Sequence, residues 1–114
     1  TVKRTFIQTG TFASRLIQRG GDELLRVIES TVLDNPEAGD VVQGTGGVRK
    51  LRIADPSRGK SKRGGFRVLF LDLPRVARTY LLFLCGKDEA EDLTADEKKR
   101  IAALVKAIKE NLGA

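Results

Sequence analysis

Histidine is missing from this chain of 114 residues, and cysteine occurs once. Without histidine there is no serine–histidine triad, no histidine-ligated zinc and no imidazole general base of the kind small ribonucleases use. Acid–base chemistry must fall to Lys, Arg, Tyr, Asp, Glu or bound water. The one cysteine, Cys85, cannot close an intramolecular disulfide, and its place in an apolar strand marks it as a small buried hydrophobe. Long apolar runs are missing too. The longest, Tyr80 to Cys85, falls far short of the roughly 20 residues a membrane-spanning helix requires. Nothing from Thr1 onward has the charged-then-apolar order of a targeting segment, so a cytoplasmic location is the default expectation. Repeats and low-complexity tails are absent, and the length suits a single domain over residues 1–114.

What the chain has in excess is positive charge, concentrated in one place. The 24 residues from Gly44 to Arg67, GTGGVRKLRIADPSRGKSKRGGFR, hold eight Lys or Arg, six Gly and one acid, Asp55. That segment carries +7, while the other 90 residues, with 13 basic and 14 acidic side chains, carry −1. Solubility alone does not require charge to be gathered beside flexible glycines; a surface that binds a polyanion does. The sequence pI of about 9.8 makes nucleic acid the first partner to expect.

Periodicity divides the chain into an α+β order. Val2 to Thr9 alternates as a first strand. Thr11 is placed to cap a short helix bearing Phe12, Leu16 and Ile17, which Gly20-Gly21 interrupts. A second helix follows from an Asp22 cap, with Leu24, Leu25, Ile28 and Val32 at helical spacing, and Asn35-Pro36 stops it. Pro36 to Gly47 reads as a loop. Val48 to Ala54 is a strand in which Leu51 and Ile53 point one way and Lys50 and Arg52 the other, so two cations share a face. After a Gly/Ser/Lys/Arg loop from Asp55 to Gly65, Phe66 to Leu73 and Arg78 to Cys85 are two further strands, the last apolar on both faces and therefore internal. Thr94 and Glu97 form a capping box with Leu93 before it. Ile101, Leu104, Val105, Ile108 and Leu112 then make the apolar stripe of a final helix. The order β-α-α-β-β-β-α predicts an antiparallel-rich four-stranded sheet with its helices packed on one face and the other face open for work.

Three pieces of this chain, GTGGVRKLR, the loop ending GGFRVLF, and YLLFLCGKDEAEDLTADEKK, together resemble the HigB-type branch of the RelE/ParE toxin superfamily. The similarity runs over about residues 2 to 110. It implies a RelE-like fold and a ribosome-dependent ribonuclease that cuts messenger RNA in the A site. It also implies a cognate, HigA-like antitoxin protein that holds the enzyme inactive. In RelE-like members the ribose 2′-OH attacks its neighbouring phosphate, leaving a 2′,3′-cyclic phosphate and a 5′-OH, with no metal or other cofactor. Matched by position, the family's catalytic cations correspond to Lys50, Arg52, Arg67 and Lys87. On that assignment the planar fork of Arg67 holds two phosphorane oxygens and Lys87 stabilises the departing 5′ oxygen. Lys50, crowded by Arg49, Arg52 and Arg67, is the candidate to take the 2′-OH proton. Arg49, Lys60, Lys62 and Arg63 are expected to follow the RNA backbone without reading its sequence. The chain departs from RelE in having no tyrosine between Asp88 and Thr94, its sole tyrosine being Tyr80.

Plainer readings stand beside these. Lys50 and Arg52 would also suit the outer face of a half-exposed strand, and Arg67 would suit a surface pair with Asp72 or Asp55. Lys87 would suit an ordinary cation at a strand end. Asp88, Glu89, Glu91 and Asp92 precede a helix N-terminus whose partial positive charge favours them, which accounts for them better than a metal does. Gly44, Gly46 and Gly47 lead into a strand with no GK[ST] following, so they are not a nucleotide loop. Two other functions remain open on the sequence: a ParE-like protein that blocks a target such as DNA gyrase without chemistry, and an RNA-binding module that does not cleave.

Overall fold

The computed structural model describes residues 4–54, 65–86 and 93–112. In chain order the elements are β1 (Thr5–Gln8), α1 (Gly10–Arg19), α2 (Gly21–Asp34), β2 (Asp40–Val41), β3 (Arg49–Ile53), β4 (Phe66–Leu73), a 3-10 turn at Pro74–Val76, β5 (Arg78–Gly86) and α3 (Ala95–Asn111). The class is α+β, but the sheet has five strands in the order β1-β5-β4-β3-β2, not four. The sheet is mixed, because β1 runs parallel to β5 while the other three pairings are antiparallel. The added strand is β2, two residues inside the stretch expected to be loop, paired as Asp40 with Lys50 and Val41 with Arg49.

The helices are also not confined to one face. Alternation along β3 and β4 sends Leu51, Ile53, Phe66, Val68 and Phe70 into one core with Phe12 and Leu16 of α1 and Leu24, Ile28 and Val32 of α2. A register shift that skips Leu82 in the β4–β5 pairing brings both Leu81 and Leu84 of β5 to the same side. The opposite side chains, Leu69, Leu71 and Leu82, form a second core with Val48 and with Val105 of α3, supported by Ile101 and Ile108. The working stripe of α3 is therefore Ile101, Val105 and Ile108; Leu104 faces out. A helix with an apolar stripe packs wherever the sheet offers apolar surface, and here both faces do.

The helix ends follow local chemistry, with two changes from the expected caps. Thr9, not Thr11, caps α1: its hydroxyl accepts from Phe12 N at 3.1 Å and donates to Leu82 O at 2.8 Å. Gly20, not Asp22, stands before α2, and Asn35 ends that helix as expected ahead of Pro36. The capping box at α3 is complete, with Glu97 N donating to Thr94 Oγ1 and Thr94 N to Glu97 Oε1. Because β1 stops at Gln8, the β5 carbonyls beyond Leu81 need other donors. The Thr9 hydroxyl serves Leu82, and Arg15 Nε reaches from α1 to Leu84 O. The Arg15 guanidinium then lies 4.8 Å from the centre of the Phe83 ring.

Candidate functional site

The β3–β4 register places the predicted cations. Directly opposed residues in an antiparallel pair share a face. Arg52 is opposite Arg67, and Arg67 is opposite Cys85 on β5, so the three form one row across the sheet. Two residues along β3, Lys50 begins the next row on that face, opposite Leu69, which is opposite Phe83. Lys50, Arg52 and Arg67 thus lie on one side of the sheet, the side that α3 covers elsewhere. Their surroundings differ: Arg52 is exposed, Lys50 half-buried, and Arg67 only 6% exposed. Cys85 is buried beside Arg67, in keeping with the small-hydrophobe expectation.

Arg49 goes the other way. It is out of step with Lys50 and Arg52, and its Nη1 donates to the carbonyls of Glu37 and Gly39 at 2.8 and 3.2 Å, which ties the end of the α2–β2 connection to β3. Arg67 does not pair with Asp72. That carboxylate belongs to the opposite face, where it is bonded by Arg4 and accepts from Thr79 Oγ1 at 2.9 Å in a nearly solvent-free cluster. Asp55, Lys60, Lys62, Arg63 and Lys87, and the acids Asp88, Glu89, Glu91 and Asp92, lie outside the described residues.

Beside Lys50 the sheet edge and α3 enclose a groove of about 380 Å³. Asp40 and Val41 of β2 form one side, with Gln43 just beyond; Leu93 and Lys98, at the start of α3, form the other. Val42 and Gln43 of the groove wall lead into the turn between β2 and β3. There the Thr45 hydroxyl, fully buried, donates to Val42 O at 2.6 Å and accepts from Val48 N at 3.3 Å. Val42 N closes the turn onto Val48 O at 2.8 Å, and Lys109 of α3 bonds Gly46 O at 2.9 Å. Gly44, Gly46 and Gly47 all have positive φ, so these glycines build a hairpin turn beneath α3 and not a phosphate loop.

Asp40 and Lys98 were not singled out from the sequence. Asp40 lies in a strand too short to leave a pattern. Lys98 does carry a signal: it occupies the fourth helical position, where an apolar residue would pack against Leu93 to complete a hydrophobic staple, and a lysine stands there instead. No protein-family model matches the chain. Among the described residues no helix is long and apolar enough to cross a membrane.

Proposed function

We propose that this protein is a metal-independent endoribonuclease of the RelE/HigB kind, a toxin that cuts messenger RNA on the ribosome and is held in check by an antitoxin protein. The observation that carries the proposal is the row of Arg52 opposite Arg67, with Lys50 on the same face. Like charges at directly opposed positions disfavour a sheet, and enclosing a guanidinium adds a desolvation cost. An RNA phosphate accepts both guanidinium groups. When the 2′ oxygen attacks phosphorus and the bond to the 5′ oxygen breaks, negative charge grows on the phosphoryl oxygens beside these side chains. Fixed cations there lower the barrier without reorganising. In a chain with no histidine, proton transfer from the 2′-OH falls to the lysine or to a carboxylate or water near it. The α+β class is compatible with this reading, although the five-stranded mixed sheet is not the four-stranded antiparallel-rich sheet expected for a RelE-like architecture.

The test is to map message ends in translating and in puromycin-treated extracts that contain the wild type, Arg67→Ala or Arg67→Lys. Loss of one transition-state donor of this kind costs roughly 100- to 1,000-fold in rate. The lysine variant keeps a charge but not the two-pronged contact, so it falls between the others. Cuts confined to translated messages and lost in Arg67→Ala support the proposal. Intact messages with stalled replication would make the protein a gyrase-blocking toxin, and RNA retention without cuts would make it a binding module.

A further inference from the structure

We infer that the groove between β2 and the start of α3 is a subsite for the ribonucleotide adjoining the scissile phosphate, and that Lys98 holds the RNA backbone there. The inference rests on the proposed function, because it takes the Arg52–Arg67 row as the place of the scissile phosphate.

Three observations converge on it. First, Lys50 belongs to both places: it shares the face of Arg52 and Arg67, and it lines the groove with Lys98. Alternate residues of a strand are about 6–7 Å apart, close to the separation of successive phosphates along an extended RNA strand. A chain with one phosphate at Arg52 and Arg67 therefore brings the next one to Lys50 and Lys98.

Second, the groove has a nucleotide's mix of surfaces. Val41, 53% exposed although aliphatic, and Leu93 give it an apolar wall for a base. Gln43 offers a donor and an acceptor to a base edge, and Asp40, opposite Lys50 in the β2–β3 register, offers an acceptor to base or ribose.

Third, Lys98 stands where helix capping favours something else. With Leu93 just before the Thr94 cap, an apolar residue at 98 would complete the staple. Lysine is tolerated because its stem covers apolar surface while its ammonium reaches out. The ammonium then adds a second cation beside Lys50.

The experiment measures binding of a short, uncleavable 2′-O-methyl oligouridylate to the full chain over a series of salt concentrations. For single strands, each phosphate contact contributes about 0.7 to the slope of log affinity against log salt. Lys98→Leu is the decisive variant, since it completes the staple and leaves the fold at least as stable as wild type. Its slope is expected to be shallower by about 0.7. Lys106→Ala, a control on the outer side of α3 where Lys106 approaches Glu110 at 4.0 Å, leaves the slope unchanged. Arg67→Ala makes it shallower. If Lys98→Leu keeps the wild-type slope while Arg67→Ala does not, the groove inference falls and the proposed function stands. A Lys106→Ala slope reduced as much as that of Lys98→Leu would also overturn the inference. If the wild type binds without salt dependence, or Arg67→Ala matches it, both readings fall.

Discussion

Replacing Gly39 with alanine should damage this protein far more than replacing Gly44, although both glycines have nearly the same backbone conformation. Gly39 has φ +81° and Gly44 φ +79°, a region that costs an L-residue about 1–2 kcal/mol. Their surroundings separate them. A Cβ on Gly44 meets nothing within 4 Å, whereas a Cβ on Gly39 would stand 2.3 Å from Lys50 O and 3.1 Å from Leu51 Cα. Those neighbours are backbone and cannot swing away, so β2 must retreat from β3 by about an ångström to restore contact, breaking the Asp40–Lys50 and Val41–Arg49 pairing. At about 1 kcal/mol for each of a pair of ladder hydrogen bonds, Gly39→Ala loses about 3–4 kcal/mol and Gly44→Ala about 1–2. Urea denaturation separates them: with a slope of about 1–3 kcal/mol per molar, the two midpoints differ by on the order of 1 M. Because Asp40 and Lys50 both line the groove, the proposed ribonuclease function further predicts slower RNA cleavage by Gly39→Ala under conditions where it remains folded. Equal midpoints for the two variants would refute the close approach of β2 to β3.

Asp72→Ala leaves the Arg4 guanidinium, 7% exposed, without its carboxylate, and should cost about 3–5 kcal/mol in denaturant unfolding. Arg67→Ala, on the other face, should not lower that loss in a double-mutant cycle, and a coupling above about 0.5 kcal/mol would contradict the separation of the faces. The Glu97 carboxyl is held below its ordinary value of 4.5, chiefly by the Thr94 backbone N–H and then by the Thr94 side chain, with Arg100 assisting. Its contribution to stability is therefore complete above about 4.5 and is lost as pH falls through the lowered value. The stability difference between wild type and Glu97→Gln should close in that acid window, and a difference that persists unchanged to lower pH would show that the charge takes no part in the cap.

Strong local signals were legible in the sequence. The capping box at Thr94 and Glu97 and the Asn35-Pro36 stop each depend on residues a few positions apart, so the pattern contains its own cause. The same holds for β4 and β5, whose apolar content and Pro74 boundary mark them out, and for the shared face of Lys50 and Arg52. What could not be read depended on distant partners. A two-residue strand such as β2 has no periodicity and exists because Gly39 lets the chain approach Lys50. Thr9 wins the α1 cap over Thr11 because its hydroxyl also serves Leu82 O across the sheet edge. The stripe on α3 was visible, but a stripe does not say which face of a sheet it will cover. Ile17, which shares the helical spacing of Phe12 and Leu16, is 80% exposed, because spacing names candidates and packing selects among them.

The convergence of Lys50, Arg52 and Arg67 is decided by the residues between them. Slipping β3 by one residue against β4 would turn Leu51 and Ile53, now 6% and 3% exposed, away from the α1–α2 core and send the cations into it. Exposing two such aliphatic side chains costs about 1.5–3 kcal/mol each, before any charge is desolvated. The repulsion of two like charges across a strand pair amounts to no more than about 1 kcal/mol. Burial therefore outweighs repulsion and pins the register, with Phe66 and Val68 holding β4 in the same way. It follows that the cationic face needs no contacts of its own to assemble. The apolar half of each strand aligns it from behind, so the register that gathers the three cations on one face is set by the core and not by the cations themselves.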